Sequence, residues 1–155
     1  MGSTPYWFLI LQAIASFAIV LTFFVYWRQL VAMRGQLDAA RQASTSQNAL
    51  TLIQFLQAED IRIARRILIN LQSKPLDAWS DAEKSAAEQV CTSYDIVAIM
   101  IKEGIAPKSI FVENWGDSIT KCYSAAAPFI AKTREIRGAK YWDDFEWLAG
   151  VAVRS

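Results

Sequence analysis

Histidine is absent from the 155-residue chain, and glycine and cysteine are scarce, with six and two residues. Without histidine, serine–histidine and cysteine–histidine nucleophile pairs cannot form within the chain, and the common zinc sites are excluded. None of the glycines belongs to a glycine-rich phosphate loop. We therefore predict a non-enzymatic protein with no catalytic residue, no metal site and no cofactor. An enzyme would have to use carboxylates, tyrosine or lysine.

The two cysteines, Cys91 and Cys122, are too few and too far apart for a disulfide scaffold or a metal knuckle. Both lie among apolar or small neighbours in the sequence, so we predict two reduced thiols in a hydrophobic core.

Charge of either sign is absent from the first 27 residues. All 16 basic and 15 acidic side chains lie from Arg28 onward, and their numbers differ by one. Proteins that bind nucleic acid usually carry a clear basic excess, so no nucleic acid partner is expected.

The uncharged segment has the length and composition of a membrane-spanning helix. From Tyr6 to Trp27 every residue is apolar or aromatic, except at Gln12, Ser16 and Thr22. About 20 such residues cross roughly 30 Å of hydrocarbon. Aromatic residues at both ends match the two interfaces of a bilayer. The sequence therefore predicts that the lipid bilayer is a partner of this segment.

Two other interpretations of the uncharged segment fit its sequence less well. A buried core helix is rarely so long and so free of charge. A cleaved signal peptide has a positive n-region, a shorter apolar core and a small-residue cleavage site. Here residues 1–5 carry no charged side chain, and bulky aromatic residues end the apolar run. The pattern favours a retained anchor.

Basic residues follow the uncharged segment and none precedes it. Arg28, Arg34 and Arg41 lie downstream, against a single acid, Asp38. The positive-inside rule therefore predicts a single-pass topology with the N-terminus outside and the C-terminal domain in the cytoplasm.

The fold class predicted is all-α, because no alternating strand pattern occurs. We predict three segments: an N-terminal transmembrane anchor at residues 1–27, a helical linker at 28–48, and a compact helical bundle at 49–155. The anchor helix is expected to continue into the linker. The polar cluster at residues 44–48 is expected to end it.

The bundle is expected to begin with a helix from about Ala49 to Leu71. Its apolar side would comprise Leu52, Ile53, Leu56, Ile63, Ile67 and Leu71. Ser80 with Glu83 three residues later predicts a capping box at the start of the next helix, and Gly104 predicts its end. The stretch 96–101 is apolar on all sides, which predicts that this helix is the most buried.

The C-terminal third predicts three further helices. Pro107 suits the first turn of a short helix ending near Gly116. Asp117 could cap a long helix toward Ile136, with Pro128 kinking or dividing it. A last helix would follow Gly138, and its buried face would comprise Tyr141, Phe145 and Leu148.

In several local features the chain resembles a bacterial domain-of-unknown-function family, the one numbered forty-seven sixty. They comprise Tyr94 and Asp95 ahead of an apolar run to Gly104, Trp115, Arg137, and the closing residues Tyr141, Trp142, Phe145, Glu146, Trp147 and Leu148. The resemblance covers about Ala49 to Ala149. It implies a short, all-helical protein with an N-terminal membrane helix and a helical cytoplasmic domain, and it carries over no activity, ligand or catalytic residue. We predict that the membrane is the bacterial inner membrane.

Asp95 is the most informative polar residue, because it lies inside an apolar helix and a buried carboxylate must be paired or protonated. The candidate partners are Arg62, Arg65, Arg66 and Arg137. Asp95 could form an ion pair that sets helix register, or line a polar ligand pocket. Arg62, Arg65 and Arg66 could also bind a phosphate, or form a solvated face with Glu59.

Alternating steps of four and three residues connect the anchor with the linker along one seam. The seam passes through Gln12, Ser16, Leu30, Met33 and Leu37. Leu30, Met33 and Leu37 form a short coiled-coil stripe, and polar or small groups are what helices bury against each other in a bilayer. The seam predicts a homo-oligomer. The alternative is that the stripe packs on the chain's own domain.

These features predict a membrane-anchored interaction or scaffold module that self-associates. The alternative is a small membrane effector or sensor, whose helical domain binds a ligand or partner and drives oligomerisation of the anchor. Polar Gln12 inside the apolar span motivates that alternative.

Overall fold

The computed structural model describes residues 6–154, which contain five α-helices and no strand. In chain order the helices are α1 Tyr6–Gln57, α2 Glu59–Asn70, α3 Asp81–Lys102, α4 Lys108–Arg137 and α5 Asp143–Val153. A 3₁₀ turn, Leu76–Ala78, connects α2 with α3. The all-helical prediction is therefore confirmed for the described residues.

The chain divides into two compact units, one ending at Ser44 and the other beginning at Thr45. The described part of the first unit is the N-terminal portion of α1, in which every residue is exposed. The second unit contains the C-terminal turns of α1 and all of α2–α5.

The second unit has a continuous hydrophobic core to which all five helices contribute. The last turns of α1 supply Ala49, Leu52 and Leu56. Within this unit α3 contacts α2, α4 and α5. Its residues Val90, Cys91, Tyr94, Val97 and Ala98 are buried. Ile96 and Ile99 are 41% and 42% exposed. Even so, α3 has nine buried residues, more than any other described helix, so the prediction that it is the most buried helix is confirmed.

Both ends of α3 follow the local signals in the sequence. The Ser80 hydroxyl accepts a hydrogen bond from the Glu83 main-chain N–H, and the Glu83 carboxylate accepts one from the Ser80 N–H at 2.7 Å. At the other end Gly104 has φ +68°, which a residue with a side chain adopts only with strain. Lys74 also pairs with Glu83 at 2.7 Å. The predicted capping box and helix stop are therefore confirmed.

Replacing the capping serine should weaken the fold measurably. We expect Ser80→Ala to lower the free energy of unfolding by about 1 kcal/mol, because a helix N-terminal N–H loses its acceptor. Urea unfolding of the detergent-solubilised chain, followed by tryptophan fluorescence, measures this loss. Ser85→Ala is the matched control, since Ser85 is exposed inside the same helix. An equal loss in both variants would contradict the capping account.

The polar cluster at residues 44–48 does not interrupt α1, contrary to the prediction. The cluster contains neither glycine nor proline, so the main-chain hydrogen bonds continue through it. The hydroxyl of Thr51, just beyond it, donates to the carbonyl of Gln47 at 3.0 Å. The interruption lies instead at Ala58, which has extended dihedral angles (φ −54°, ψ 141°) and precedes α2.

This interruption also changes which residues face the core after it. The predicted single helix from Ala49 to Leu71 placed Ile63 on the buried side. Because α2 restarts at Glu59, the buried positions are Ile61, Ala64 and Leu68, and Ile63 is exposed.

One long helix, α4, replaces the two that were predicted on either side of Gly116. Phe111, Val112, Ile119 and Cys122 are buried along it, and this packing outweighs the low helix propensity of the glycine. Asp117 therefore lies inside the helix, where it pairs with Lys121 at 2.7 Å. Pro128 is also an interior residue of α4 and does not divide it.

The last helix begins at Asp143, so Tyr141 precedes it rather than belonging to its buried face. The residue before α5, Trp142, has left-handed dihedral angles (φ 58°, ψ 36°), which are uncommon for a bulky side chain. Its indole is buried beside Phe129, at a ring-centroid distance of 5.9 Å.

Candidate functional site

Asp95 receives a main-chain donor from another helix. Its Oδ1 accepts a hydrogen bond from the N–H of Phe145 at 2.9 Å. Phe145 lies in the first turn of α5, and the residue at the N-terminal boundary, Trp142, supplies no side-chain cap. Asp95 therefore caps α5 from α3. The ion pairs described within residues 6–154 do not include Asp95.

Two neighbouring contacts join the same face of α3 to α5 and its N-terminal turn. The Trp142 indole N–H donates to the Thr92 hydroxyl at 3.3 Å, and the Lys102 ammonium pairs with the Asp144 carboxylate. Thr92, Asp95 and Lys102 lie on one side of α3 at helical spacing. This face therefore positions the start of α5.

Burial raises the pKa of Asp95, and the charges of Asp144 and Asp143 add to this effect. The hydrogen bond from Phe145 acts in the opposite direction. The folded state therefore binds the Asp95 proton more tightly than the unfolded chain does. The stabilising contribution of this carboxyl is greatest at low pH, and it declines as pH rises from the ordinary value of 3.8 through the raised pKa.

Two substitutions at position 95 separate the cap from the charge. Asp95→Asn keeps an oxygen acceptor for the Phe145 N–H, whereas Asp95→Ala removes it. We expect the alanine variant to be about 1 kcal/mol less stable than the asparagine variant at neutral pH. Relative to Asp95→Asn, the wild-type chain should lose stability as pH rises from 3.8 through the raised pKa of Asp95. Urea unfolding from acidic to neutral pH measures both effects, and equal stability of the two variants at neutral pH would contradict the cap.

The structure does not gather the four candidate arginines around Asp95. Arg62 pairs with Glu59 at 3.3 Å, which agrees with a solvated helix face, and Arg66 is exposed on α2. Arg137 pairs with Glu88 at 3.4 Å and donates to the Tyr141 hydroxyl at 2.6 Å.

Arg65 reaches the interior of the second unit. It donates to the Leu56 carbonyl at 2.9 Å and to the Tyr94 hydroxyl at 3.4 Å. The Tyr94 hydroxyl also bonds to the Ser118 hydroxyl at 2.9 Å. Burial raises the pKa of Tyr94. Arg65 therefore satisfies buried polar atoms of α1 and α3.

Both cysteines are free and buried, as the sequence predicted. Burial raises the pKa of Cys122 to about 11, and it raises the pKa of Cys91 as well. Neither thiol is therefore ionised to any useful extent at neutral pH, so neither is a ready nucleophile.

Arg134 has a structural role that no motif in the sequence indicates. Its guanidinium donates to the carbonyl of Tyr141 at 2.9 Å and to that of Trp142 at 3.3 Å. It also pairs with Glu146 at 2.8 Å. Arg134 thus holds the turn in which Trp142 has left-handed dihedral angles. Because two of its acceptors are main-chain atoms, residue types alone could not identify them.

A groove of about 530 Å³ opens beside Arg137 in the second unit. We call it the Trp142 groove. Its lining residues are Leu76, Asp77, Lys84, Glu88, Phe129, Lys132, Thr133, Ile136, Arg137 and Trp142. This volume falls in the range of small-molecule sites. Arg137 is the only predicted site residue in its lining.

The other candidate functional segment is the N-terminal part of α1. Its large apolar side chains from Tyr6 to Trp27 are between 46% and 86% exposed. Of the polar positions there, Ser16 donates to the Gln12 carbonyl at 2.9 Å and Thr22 to the Ala18 carbonyl at 2.8 Å. These bonds within the helix satisfy both hydroxyls without water, which a membrane-spanning helix requires.

The proposed seam lies along one side of this helix. At roughly 100° per residue, Gln12, Ser16, Leu30, Met33 and Leu37 fall within about 100° of arc. Leu30, Met33 and Leu37 are 54–64% exposed.

The described residues define an all-helical protein with one apolar helix that could span a membrane. The family described as Domain of unknown function (DUF4760) matches residues 12–151, and the chain belongs to this family. The resemblance seen in the sequence is thereby confirmed, and the match also includes most of α1. Comparisons with curated proteins and with solved structures gave no match.

Proposed function

We propose that the protein is a non-enzymatic interaction or scaffold module, anchored in the bacterial inner membrane by α1 and self-associating through it. The observation that carries this proposal is that every large apolar side chain of the helix from Tyr6 to Trp27 is exposed. Apolar surface of this extent is unfavourable in water and favourable in hydrocarbon. Soluble monomers rarely expose so large a patch.

Retention of the anchor is supported by the extent of the family match. The match begins at residue 12, inside the apolar segment, and ends at residue 151. A segment shared by the family belongs to its common domain, whereas a removable signal peptide precedes the mature domain.

The cytoplasmic location of the second unit is supported by the arginines that follow Trp27. Arg28 and Arg34 are both exposed on α1. The reduced state of two free cysteines also suits the cytoplasm.

Self-association is supported by the exposed stripe beyond the anchor. Leu30, Met33 and Leu37 are large apolar side chains on one helix face, and a second copy would remove them from water. Inside the bilayer the same face presents Gln12, whose amide can hydrogen-bond to the corresponding residue of a second helix.

Single cysteines along α1 test this proposal. Cys91 and Cys122 are replaced by serine or alanine, and one cysteine is then placed at position 30, 33, 37, 32 or 36. We expect disulfide crosslinking in native membranes to peak at positions 30, 33 and 37. Positions 32 and 36 are the matched controls, because they lie off the seam on the same helix.

Equal crosslinking at all five positions would contradict association through the seam. A protein that remains monomeric at every detergent concentration would contradict self-association, and α1 would then serve only as a membrane tether. Measurement of a catalytic activity in the purified chain would contradict the non-enzymatic assignment.

A further inference from the structure

The break between α1 and α2 occurs where the sequence favours a continuous helix. Residues 49–70 contain neither glycine nor proline. Ala58 nevertheless has extended dihedral angles and no capping side chain, and the chain bends there. Alanine has the highest helix propensity of all residues. Contacts made elsewhere in the second unit therefore maintain the break.

Arg65 makes one such contact. Its guanidinium donates to the Leu56 carbonyl at 2.9 Å and to the Tyr94 hydroxyl at 3.4 Å. In a continuous helix the Leu56 carbonyl would instead accept a hydrogen bond from the N–H of Asp60, four residues later. Arg65 therefore replaces the donor that this carbonyl loses at the break, and it connects the end of α1 to α3.

The break also decides which apolar face of α2 is buried. In a continuous helix, the buried residues at the end of α1 would share a face with Ile63 and Ile67, within about 60° of arc. The residues of α2 that are buried in the structure would lie roughly 120° away from that face. They are Ile61, Ala64 and Leu68. Because the chain bends at Ala58, both faces reach one core, and Ile63 is left 44% exposed.

We propose that Ala58 is a two-state hinge controlled by Arg65. In the structure Arg65 binds the Leu56 carbonyl, and α1 and α2 are separate helices. When this contact is released, residues 45–70 form one continuous helix, which we call the straight form, and the buried residues at the end of α1 leave the core. The polar contacts of the Tyr94 hydroxyl, which also bonds to Ser118 at 2.9 Å, thereby control the direction of the last turns of α1. This inference does not depend on self-association.

Distances between two spin labels in the full chain test the hinge. Nitroxides are attached to cysteines at positions 47 and 70, which are exposed on α1 and α2, after Cys91 and Cys122 have been replaced by alanine. In the straight form these positions lie about 35 Å apart, whereas a bend between them shortens the distance. Double electron–electron resonance in nanodiscs of phosphatidylcholine measures the distribution. With Arg65 present, we expect the shorter distance to dominate.

Arg65→Gln should increase the population of the straight form at least several-fold, because the Leu56 carbonyl becomes available to the N–H of Asp60. This population should give a narrow peak, since a continuous helix fixes the distance between the labels. Arg66→Gln is the matched control, because Arg66 is exposed on the same helix. It should leave the distance distribution unchanged.

Proline at position 59 should close the hinge independently of Arg65. Glu59 is the first residue of α2, where proline is well tolerated and an N–H has no acceptor within the helix. Ala58 already has the extended dihedral angles that a residue before proline prefers. In the straight form the same proline would clash with the Phe55 carbonyl. We therefore expect Glu59→Pro, added to Arg65→Gln, to abolish the straight form.

Four results would overturn the inference. One is an unchanged distance distribution in Arg65→Gln, and another is an equal increase of the straight form in Arg66→Gln. The third is a peak at the longer distance that persists when Glu59→Pro is added. The fourth is a broad distribution in Arg65→Gln instead of a narrow peak, because loss of Arg65 would then unfold the bundle rather than straighten the hinge.

Discussion

Arginine at positions 14 and 17 should remove the chain from the membrane fraction. Ile14 and Phe17 lie near the centre of the apolar segment and are exposed. Each arginine at the centre of a membrane helix costs about 2.5–3.5 kcal/mol on insertion scales, so the pair costs roughly 5–7 kcal/mol. We therefore expect the chain carrying Ile14→Arg and Phe17→Arg to be found in the soluble or aggregated fraction rather than in carbonate-washed membranes.

The matched control carries Ala32→Arg and Gln36→Arg, which add the same charge to exposed positions of α1 beyond the anchor. This chain should stay in the membrane, and added basic residues on the proposed cytoplasmic side should reinforce its orientation. Equal membrane retention of both doubly substituted chains would mean that the apolar segment is not the anchor.

Phe145→Ala should produce the largest loss of stability in the second unit. Phe145 is fully buried, stacks on Tyr94 at a centroid distance of 5.2 Å and meets Tyr123 edge-on at 5.3 Å. Truncating such a ring leaves a cavity and removes two aromatic contacts, at a cost of about 3–5 kcal/mol. The hydrogen bond to Asp95 uses the main-chain N–H of Phe145, so the substitution does not itself remove the α5 cap.

Urea unfolding of the detergent-solubilised chain measures this loss, and Val153→Ala is the control on the same helix. Val153 is exposed, so its truncation should change stability by no more than about 0.5 kcal/mol. A similar small effect at Phe145 would mean that α5 does not pack on α3 as described.

The features that the sequence predicted correctly have local causes. The capping box depends on Ser80 and Glu83, three residues apart, and the stop of α3 depends on one glycine, Gly104. The apolar helix from Tyr6 to Trp27 is evident from composition alone. In each case the residues that carry the signal are neighbours in the chain, so no tertiary information was needed.

The helix boundaries that the sequence predicted wrongly depend on tertiary packing. Gly116 stays helical because buried residues on both sides of it pack against the core. Conversely, the helix is interrupted at Ala58 without a glycine, a proline or a capping side chain there. No local sequence signal therefore predicts this interruption. Intrinsic helix propensity is therefore a weak determinant of where a helix ends, because tertiary packing can override it.

The contacts of Asp95 and Arg134 show a second limit on what can be predicted from sequence, which is the identity of a side chain's hydrogen-bond partner. Sequence reasoning sought an opposite charge for Asp95, yet the structure pairs it with a main-chain N–H 50 positions away. Arg134 likewise bonds to two main-chain carbonyls. Every residue has a carbonyl, and all except proline have an N–H, so residue identity cannot indicate which of them a side chain will reach.

The topology of the native chain tests the central claim most directly. A dual reporter with one cytoplasmic and one periplasmic activity is fused after Ser155, and both activities are measured in carbonate-washed bacterial membranes. We predict cytoplasmic activity that sediments with the membranes. Periplasmic activity at that position, or cytoplasmic activity found only in the soluble fraction, would contradict a retained anchor with a cytoplasmic domain.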